Sequence, residues 1–167
     1  QSFAAKAGQI AWLGDDPIWL GWDGAANLNS LGHLPLSLPE GVYRLATPVT
    51  TLQLVSWGLG CYQFSRYKDL EREPALLLVE DGADVASLLH QVQATSLTRD
   101  LINTPAQDMA PSHLEAEANA LAEQFSASIN VVSGDQLLDQ DFGAIHAVGR
   151  AAADAPRAHR AGGRVRT

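Results

Sequence analysis

The sequence predicts an α/β protein, because short predicted strands and longer predicted helices occur along the same chain. Short aromatic or β-branched runs between turn residues alternate with longer segments of helical spacing. Hydrophobic residues make up 46% of the 167-residue chain and charged residues 18%, which is typical of a globular protein.

The N-terminus is expected to form a β-hairpin. Residues 9–13 and 18–22 are short apolar runs, and the turn-forming sequence Gly-Asp-Asp-Pro lies between them. Three tryptophans would give this hairpin large apolar faces: Trp12, Trp19 and Trp22. We expect these tryptophans in the core, and a platform for a ligand is the alternative.

Residues 25–45 are predicted to form a helical piece followed by a strand. Residues 25–34 have a mixed, helical character, and Pro35 and Pro39 interrupt the chain after them. Residues 41–45, Gly-Val-Tyr-Arg-Leu, indicate a short strand.

Residues 49–64 predict a helix and residues 75–79 a buried strand. The helix has apolar side chains close to helical spacing, at Leu52, Val55, Leu59 and Tyr62. Gly58 and Gly60 weaken this prediction unless close packing requires them. The strand is a run of five apolar residues between Pro74 and the sequence Glu-Asp-Gly.

The strongest helix of the first half is predicted over residues 84–102. Its apolar residues recur at helical spacing, at Val85, Leu88, Leu89 and Val92. Asp84 can cap its start, and Pro105 marks its end because proline disfavours the helical state of the residue before it.

A second helix is predicted from residue 111, then a strand over residues 129–132 and a further helix from residue 134. Ser112 with Glu115 three residues on predicts a capping box at the start of the second helix. That helix carries one apolar stripe, formed by Leu114, Ala118, Leu121, Ala122 and Phe125.

The charge distribution argues against a nucleic-acid partner. The chain has 19 acidic and 11 basic side chains, a net charge of -8, and such a protein repels phosphate. The last 18 residues reverse this balance, since they carry five arginines and one aspartate. The single cysteine, Cys61, excludes an intrachain disulfide and indicates a reducing compartment.

No membrane partner is expected either. Residues 45–65 carry no charge and are long enough to span a bilayer, but they contain one proline, three threonines, two glutamines and two serines. A helix of a soluble protein is therefore the expected structure, and the N-terminus shows no targeting segment.

The residues by themselves indicate no catalytic or metal site. The five histidines, His33, His90, His113, His146 and His159, include no pair at i, i+4 and none close to the cysteine. A group of carboxylates at Asp135, Asp139 and Asp141 could bind a cation, but acidic residues at a helix start are expected as solvated charge. The sequence therefore predicts no catalytic and no metal-binding residue.

One segment carries a family resemblance. Residues 99–111, Arg-Asp-Leu-Ile-Asn-Thr-Pro-Ala-Gln-Asp-Met-Ala-Pro, resemble the helix-to-loop segment before the catalytic domain of the leucyl aminopeptidase family, the cytosol aminopeptidases of peptidase family M17. The following helix and strand and residues 145–150 fit the same family, and the N-terminal hairpin resembles a short domain of a bacterial branch. The resemblance extends to about Arg157. It implies a small N-terminal α/β domain over residues 1–82, a long bridging helix over residues 83–102 and the first α-β-α elements of a second α/β domain, of the catalytic type, over residues 103–157. Residues 158–167 form an atypical basic tail in this division.

The resemblance implies the N-terminal, non-catalytic portion of a metal-dependent enzyme that removes N-terminal residues from peptides. Family members are cytoplasmic hexamers that carry two divalent metal ions, manganese or zinc. Part of their catalytic set lies in an Asn-Thr-Asp-Ala-Glu-Gly-Arg motif, which this sequence lacks, because Asn103 and Thr104 are followed by Pro105. No catalytic or metal residue is carried over, so we expect this chain to be inactive alone.

Two alternatives to this interpretation remain. The chain could be a standalone α/β module for oligomerisation or ligand binding, or its arginine-rich tail could bind nucleic acid weakly. The family continues after residue 157 into an apolar strand, whereas this sequence becomes basic and glycine-rich. A frameshift explains that change and predicts a missing strand and a poorly ordered, dispensable tail. A genuine basic tail that binds an acidic partner is the other explanation.

Overall fold

The structure is a computed structural model and describes residues 4–12, 18–25, 27–79 and 82–162. The chain divides into two compact units, Gln1–Asn103 (unit 1) and Thr104–Thr167 (unit 2). Helices and short strands are mixed in both units, which confirms the predicted α/β class. The division assigns the long helix to unit 1, and the domain boundaries given above remain predictions.

The N-terminal hairpin is confirmed. Strands β1 (Ile10–Trp12) and β2 (Ile18–Leu20) pair antiparallel, with Ile10 opposite Leu20. Ile10, Ile18 and Leu20 pack against the core because they share one face of the hairpin. The predicted turn, Gly-Asp-Asp-Pro at residues 14–17, lies outside the described residues.

The placement of the three tryptophans in the core is wrong. Trp12, Trp19 and Trp22 are 52%, 50% and 51% exposed. Trp19 lies on the opposite face of β2 from its neighbours in sequence, because side chains alternate along a strand. Trp22 follows β2, and its indole N–H donates to the carbonyl of Ala25 at 2.9 Å.

The helical piece predicted over residues 25–34 is also wrong. Turns occupy residues 27–33, and helix α1 is only Leu34–Ser37. The Asn27 side chain accepts from the amide of Asn29 at 2.8 Å, and such local bonds compete with helix formation. Pro35 does not interrupt a helix but lies in the first turn of α1, where its missing N–H costs nothing.

Helix α2 (Thr51–Gly60) confirms the helix predicted over residues 49–64. Its two glycines allow close packing. A Cβ atom on Gly58 would lie 2.6 Å from Cγ2 of Val92, and one on Gly60 would lie 2.0 Å from the carbonyl oxygen of Gly32. The glycines that weakened the prediction are therefore required by the packing.

Strands β3 (Val42–Tyr43) and β4 (Leu76–Leu77) pair in parallel. The strand expected over residues 75–79 is shorter, and it is not buried along its length. Ala75 is fully buried, whereas Leu76 and Leu78 are 60% and 49% exposed. The strand alternates between a covered and an open face, as is usual for a sheet covered on one side. The core of unit 1 is formed by Leu31, Leu34, Leu38, Trp57 and Ala75.

Helix α3 (Val85–Asn103) confirms the helix predicted over residues 84–102. The carboxylate of Asp84 accepts from the amide of Ser87 at 3.0 Å and caps the first turn, as expected. Leu88 is buried, but Leu89 is 51% exposed, so the apolar stripe is only partly covered.

None of the helices in the described part of the chain is long and apolar enough to cross a bilayer. The uncharged segment over residues 45–65 contains only the ten residues of α2 as helix.

Unit 2 places helices beside an antiparallel strand pair. Its elements are α4 (Pro111–Gln124), β5 (Ser128–Ser133), α5 (Gln136–Asp139), α6 (Gly143–Gly149) and β6 (Arg157–Gly162). The helix from residue 111, the strand over residues 129–132 and a helix soon after residue 134 are thereby confirmed. The strand β6 was not predicted.

The capping box predicted for α4 is wrong. Because the helix begins at Pro111, Ser112 lies inside the first turn, where its amide donates to Asp154 at 2.8 Å. Glu115 accepts from Arg157 and does not reach back to the helix start. Ser112 and Glu115 thus form hydrogen bonds with Asp154 and Arg157, each 42 positions further along the chain, and not with the start of their own helix.

The expected poor order of the tail is wrong for residues 158–162. These residues lie in β6, which pairs with β5 from Ser133 opposite Arg157 to Ser128 opposite Gly162. A backbone ladder needs no apolar side chains, so composition misled the prediction. The frameshift hypothesis also predicted that the strand after Arg157 is missing, and this prediction is wrong because β6 is present. Residues 163–167 lie outside the described residues, and their dispensability stays a prediction.

Helix α4 has an open apolar side. Leu114, Leu121 and Phe125 are 44%, 40% and 62% exposed, whereas Ala122 is buried. We expected exposure of these side chains from an incomplete sheet. They are exposed although β6 is present and α4 contacts both β5 and β6.

Candidate functional site

A cluster of charged side chains in unit 2 centres on Arg157, the first residue of β6. Its Nε donates to Glu115 Oε2 at 2.5 Å, and its Nη1 donates to Asp154 Oδ1 at 2.5 Å and to the carbonyl of Ala155 at 2.6 Å. The other oxygen of Asp154 accepts from the amide of Ser112. The cluster ties the first turns of α4 to the start of β6.

The electrostatics of this cluster favour the charged forms. The backbone amide of Ser112, followed by the Arg157 guanidinium, lowers the pKa of Asp154 to about 2. The hydrogen bond to Asp154 raises the pKa of Arg157. The side chains of Arg157, Asp154 and Glu115 are 17%, 25% and 31% exposed, so solvent screens them only in part. The charged side chains of the cluster form ion pairs with one another, so the cluster is suited to holding α4 and β6 together.

A second polar cluster joins the ends of α2 and α3 in unit 1. The Tyr62 hydroxyl donates to Asp100 Oδ1 at 2.7 Å and accepts from Asn103 Nδ2 at 3.1 Å. The Arg99 guanidinium lies 5.2 Å from the centre of the Tyr62 ring and donates to the carbonyl of Leu59 at 2.9 Å. Partial burial and the bond to Asp100 raise the pKa of Tyr62.

This second cluster anchors part of the segment that carries the family resemblance. Arg99, Asp100 and Asn103 lie in residues 99–111. Arg99 contacts Leu59 at the end of α2, and Asp100 and Asn103 contact Tyr62, two residues after that end. These contacts hold the end of α3 against the end of α2.

No metal centre is formed by the residues that the structure describes, because nowhere among them do three His, Cys, Asp or Glu side chains come together. Asp135 lies 3.1 Å from His146 Nε2, with its own side chain 98% exposed. This matches the expectation of solvated charge at a helix start. The described residues therefore do not fit a divalent metal site of the kind that the family resemblance implies.

The other candidate side chains have local roles or none that the structure shows. His113 Nδ1 accepts from the amide of Ala110 at 3.0 Å, and His90 and His159 are exposed. His33 has a buried Nε2 without a hydrogen-bond partner among the described residues. The Cys61 thiol is half-buried and its pKa is raised by that burial.

Sequence reasoning missed both polar clusters. Glu115 and Arg157 are 42 positions apart, and Tyr62 and Asp100 are 38 apart, so no local spacing joins them. Only the i, i+3 pair of Asp154 and Arg157 offered a sequence signal.

Comparison with known proteins identifies two successive regions of one family. Residues 2–80 match the model of the M17 aminopeptidase N-terminal domain, and residues 96–161 match the model of the catalytic domain of the cytosol aminopeptidase family. The chain belongs to the M17 aminopeptidase family. The catalytic-domain match runs through most of β6, so the departure expected from about residue 158 does not separate this strand from the family.

The relatives are much longer than this chain. A probable cytosol aminopeptidase of Roseiflexus castenholzii is 33% identical over 126 residues, which is 66% of this chain and 26% of the relative. The crystal structure of the cytosol aminopeptidase from Coxiella burnetii matches 93% of this chain and 36% of its own, with a TM-score of 0.83 and 30% identity. The chain thus spans about a quarter of the length of the curated relatives that it matches.

A more distant structure shows the same fold. The bottromycin maturation enzyme BotP, solved in complex with Mn, matches 95% of this chain and 40% of its own, with a TM-score of 0.72 and 22% identity.

Proposed function

We propose that this chain is the N-terminal, non-catalytic portion of a metal-dependent leucyl aminopeptidase that removes N-terminal residues from peptides. The observation that carries the proposal is the order of the two family matches, an N-terminal domain followed by the first part of a catalytic domain. The short span relative to the curated relatives supports it, since most of a full-length enzyme would follow the matched region.

The metal ions would be held outside the described residues. Two divalent ions, manganese or zinc, would be bound by groups further along the full-length enzyme, where they would polarise the peptide carbonyl and activate water. The complex of BotP with Mn supports a divalent metal in proteins of this fold. The clusters around Arg157 and Tyr62 would position elements of the scaffold.

The full-length enzyme is proposed to be a cytoplasmic homo-oligomer, a hexamer as in the family. The name shared by its relatives, cytosol aminopeptidase, supports the compartment. The exposed apolar side of α4 supports association with further protein, because monomeric proteins rarely leave such side chains grouped at the surface.

The test is hydrolysis of leucine p-nitroanilide by the purified 167-residue chain with added manganese or zinc. We expect no turnover above the rate without protein. The full-length Coxiella burnetii enzyme, prepared and assayed in parallel, is the positive control. Turnover that stays with this chain through successive purification steps and is removed by a chelator would contradict the non-catalytic assignment.

A further inference from the structure

A cleft of about 170 Å³ opens in unit 1 at the carboxyl ends of the two parallel strands. Arg44 and Leu45 follow β3, Leu78 and Val79 follow β4, and all four line the cleft. The amide of Leu78 donates to the carbonyl of Tyr43 at 2.8 Å, so strand pairing reaches the edge of the cleft. Ligands of α/β proteins bind preferentially outside the carboxyl ends of parallel strands.

Most of the side chains that line the cleft are apolar, while polar atoms form nearly half of its exposed wall. The apolar side chains are those of Leu45, Val49, Leu54, Leu78 and Val79. An engineered apolar cavity of about 150 Å³ admits benzene, so this cleft accommodates a compact hydrocarbon group of about six carbon atoms.

Arg44 supplies the charge among the described lining residues. It is exposed, and its guanidinium makes no hydrogen bond or ion pair with any residue that the structure describes. By contrast, Arg72, Arg99 and Arg157 all donate to backbone carbonyls of their own units. A guanidinium that no described residue binds is available to a carboxylate, which it binds in a two-pronged geometry.

Helix α2 does not supply an alternative anion site beside the cleft. Its N-terminus is occupied by its own capping box, in which Thr50 Oγ1 accepts from the amide of Gln53 and Gln53 Oε1 accepts from the amide of Thr50. The anionic group of a ligand is therefore assigned to Arg44.

We propose that this cleft binds a small monocarboxylate with a compact hydrocarbon group, of about the size of leucine. The hydrocarbon group enters between the apolar side chains, and the carboxylate pairs with Arg44. Free leucine and its analogue without the amino group share this chemistry. The proposal goes beyond the proposed function, because it concerns unit 1 alone and requires no peptidase chemistry.

The experiment follows the amide ¹H–¹⁵N spectrum of the 167-residue chain during titration with 4-methylpentanoate. We expect saturable shifts at Leu45, Val49 and Leu78 with a Kd of about 1 mM, as the small number of ligand atoms dictates. The neutral amide of the same acid, 4-methylpentanamide, is expected to bind about tenfold more weakly because it lacks the charge-assisted bond. A parallel titration with L-leucine distinguishes the two sources: equal affinity indicates the free amino acid, and weaker affinity indicates the analogue.

Two variants separate the charge from the cavity. Arg44→Gln should weaken binding of the acid about tenfold and leave binding of the amide unchanged, whereas Arg150→Gln, at an exposed arginine of unit 2, should change neither. Ala83→Leu places a larger side chain in the lining and should abolish binding of both compounds. The dispersion of each spectrum shows that the variant is folded.

Three results would overturn the proposal. They are the absence of saturable shifts at ten times the expected Kd, equal affinities for the acid and the amide, and shifts that persist in Ala83→Leu. Unchanged binding of the acid by folded Arg44→Gln would equally exclude the assigned role of the guanidinium.

Discussion

Unit 1 holds most of the hydrophobic side chains that are almost fully buried among the described residues, namely Leu31, Leu34, Leu38, Val55, Trp57, Ala75 and Leu88. Unit 2 holds only Ala122, Val132 and Leu137. Unit 2 instead has the Arg157 cluster and a six-residue strand pair. Packing therefore dominates the stability of unit 1, and backbone pairing with charge pairing has a larger share in unit 2.

Among the changes that test this comparison, removing β6 should have the largest effect on stability, and the effect should be confined to unit 2. A chain truncated after Pro156 loses the partner of β5 and the Arg157 cluster together. We expect the β5 amides to exchange with solvent at least about 100 times faster, while the amides of α2 in unit 1 keep their protection.

Hydrogen exchange read by mass spectrometry measures both regions in one sample. A truncation after Gly162 is the matched control, because it leaves every described element in place. Unchanged exchange of β5 after the longer truncation would show that the strand pair does not stabilise unit 2.

Trp57→Ala should have the next largest effect, and it should be confined to unit 1. Trp57 is 4% exposed and its indole N–H donates to the carbonyl of Ala75 at 3.2 Å. We expect the free energy of unfolding to fall by about 3–5 kcal/mol, the usual cost of removing a large buried aromatic side chain. Urea unfolding followed by circular dichroism measures the loss.

Trp19→Ala is the control for that substitution. Trp19 is half exposed on the outer face of the hairpin, so its removal should cost less than about 1 kcal/mol. Equal losses for the two tryptophans would mean that the hairpin face is covered in solution.

The smallest change in the free energy of unfolding is expected on acidification, and it should be confined to unit 2. The pKa of Asp154 is lowered from 3.8 to about 2, so its contribution to stability is complete above about pH 4 and is lost as the pH falls towards 2. Asp154→Asn should remove this part of the acid dependence of the free energy of unfolding. Asp139→Asn, at an exposed carboxylate, should retain it.

Unfolding curves recorded between about pH 4 and pH 2 test the acid dependence. The same acid dependence in Asp154→Asn and in the unchanged chain would assign it to other carboxylates.

The sequence predicted elements that local spacing defines. The apolar periodicity gave α2 and α3, and the two apolar runs around a turn gave the β1–β2 hairpin. The resemblance of residues 99–111 to one family was confirmed by the family models. These features depend on neighbours in sequence, which a single chain displays.

The features that sequence reasoning missed depend on distant partners. Strand β6 is polar and exists through its pairing with β5, which begins 29 positions earlier. Ser112 and Glu115 had the spacing of a capping box, but Asp154 and Arg157 took their hydrogen bonds. The exposed faces of Trp19 and Leu76 could not be separated from buried ones, because composition does not tell which side of a short sheet is covered.

Ala75 sets the order in which unit 1 can fold. Its amide donates to the carbonyl of Pro35, and its carbonyl accepts from the indole of Trp57. Both bonds, and the parallel strand pair that starts at the next residue, close long loops of chain. Closing these loops costs conformational entropy before the stabilising contacts can form. Helices α2 and α3 can form early, but the sheet and the core must wait for residues 35, 57 and 75 to meet. We therefore expect the folding rate of unit 1 to be limited by this late closure and not by the speed of helix formation.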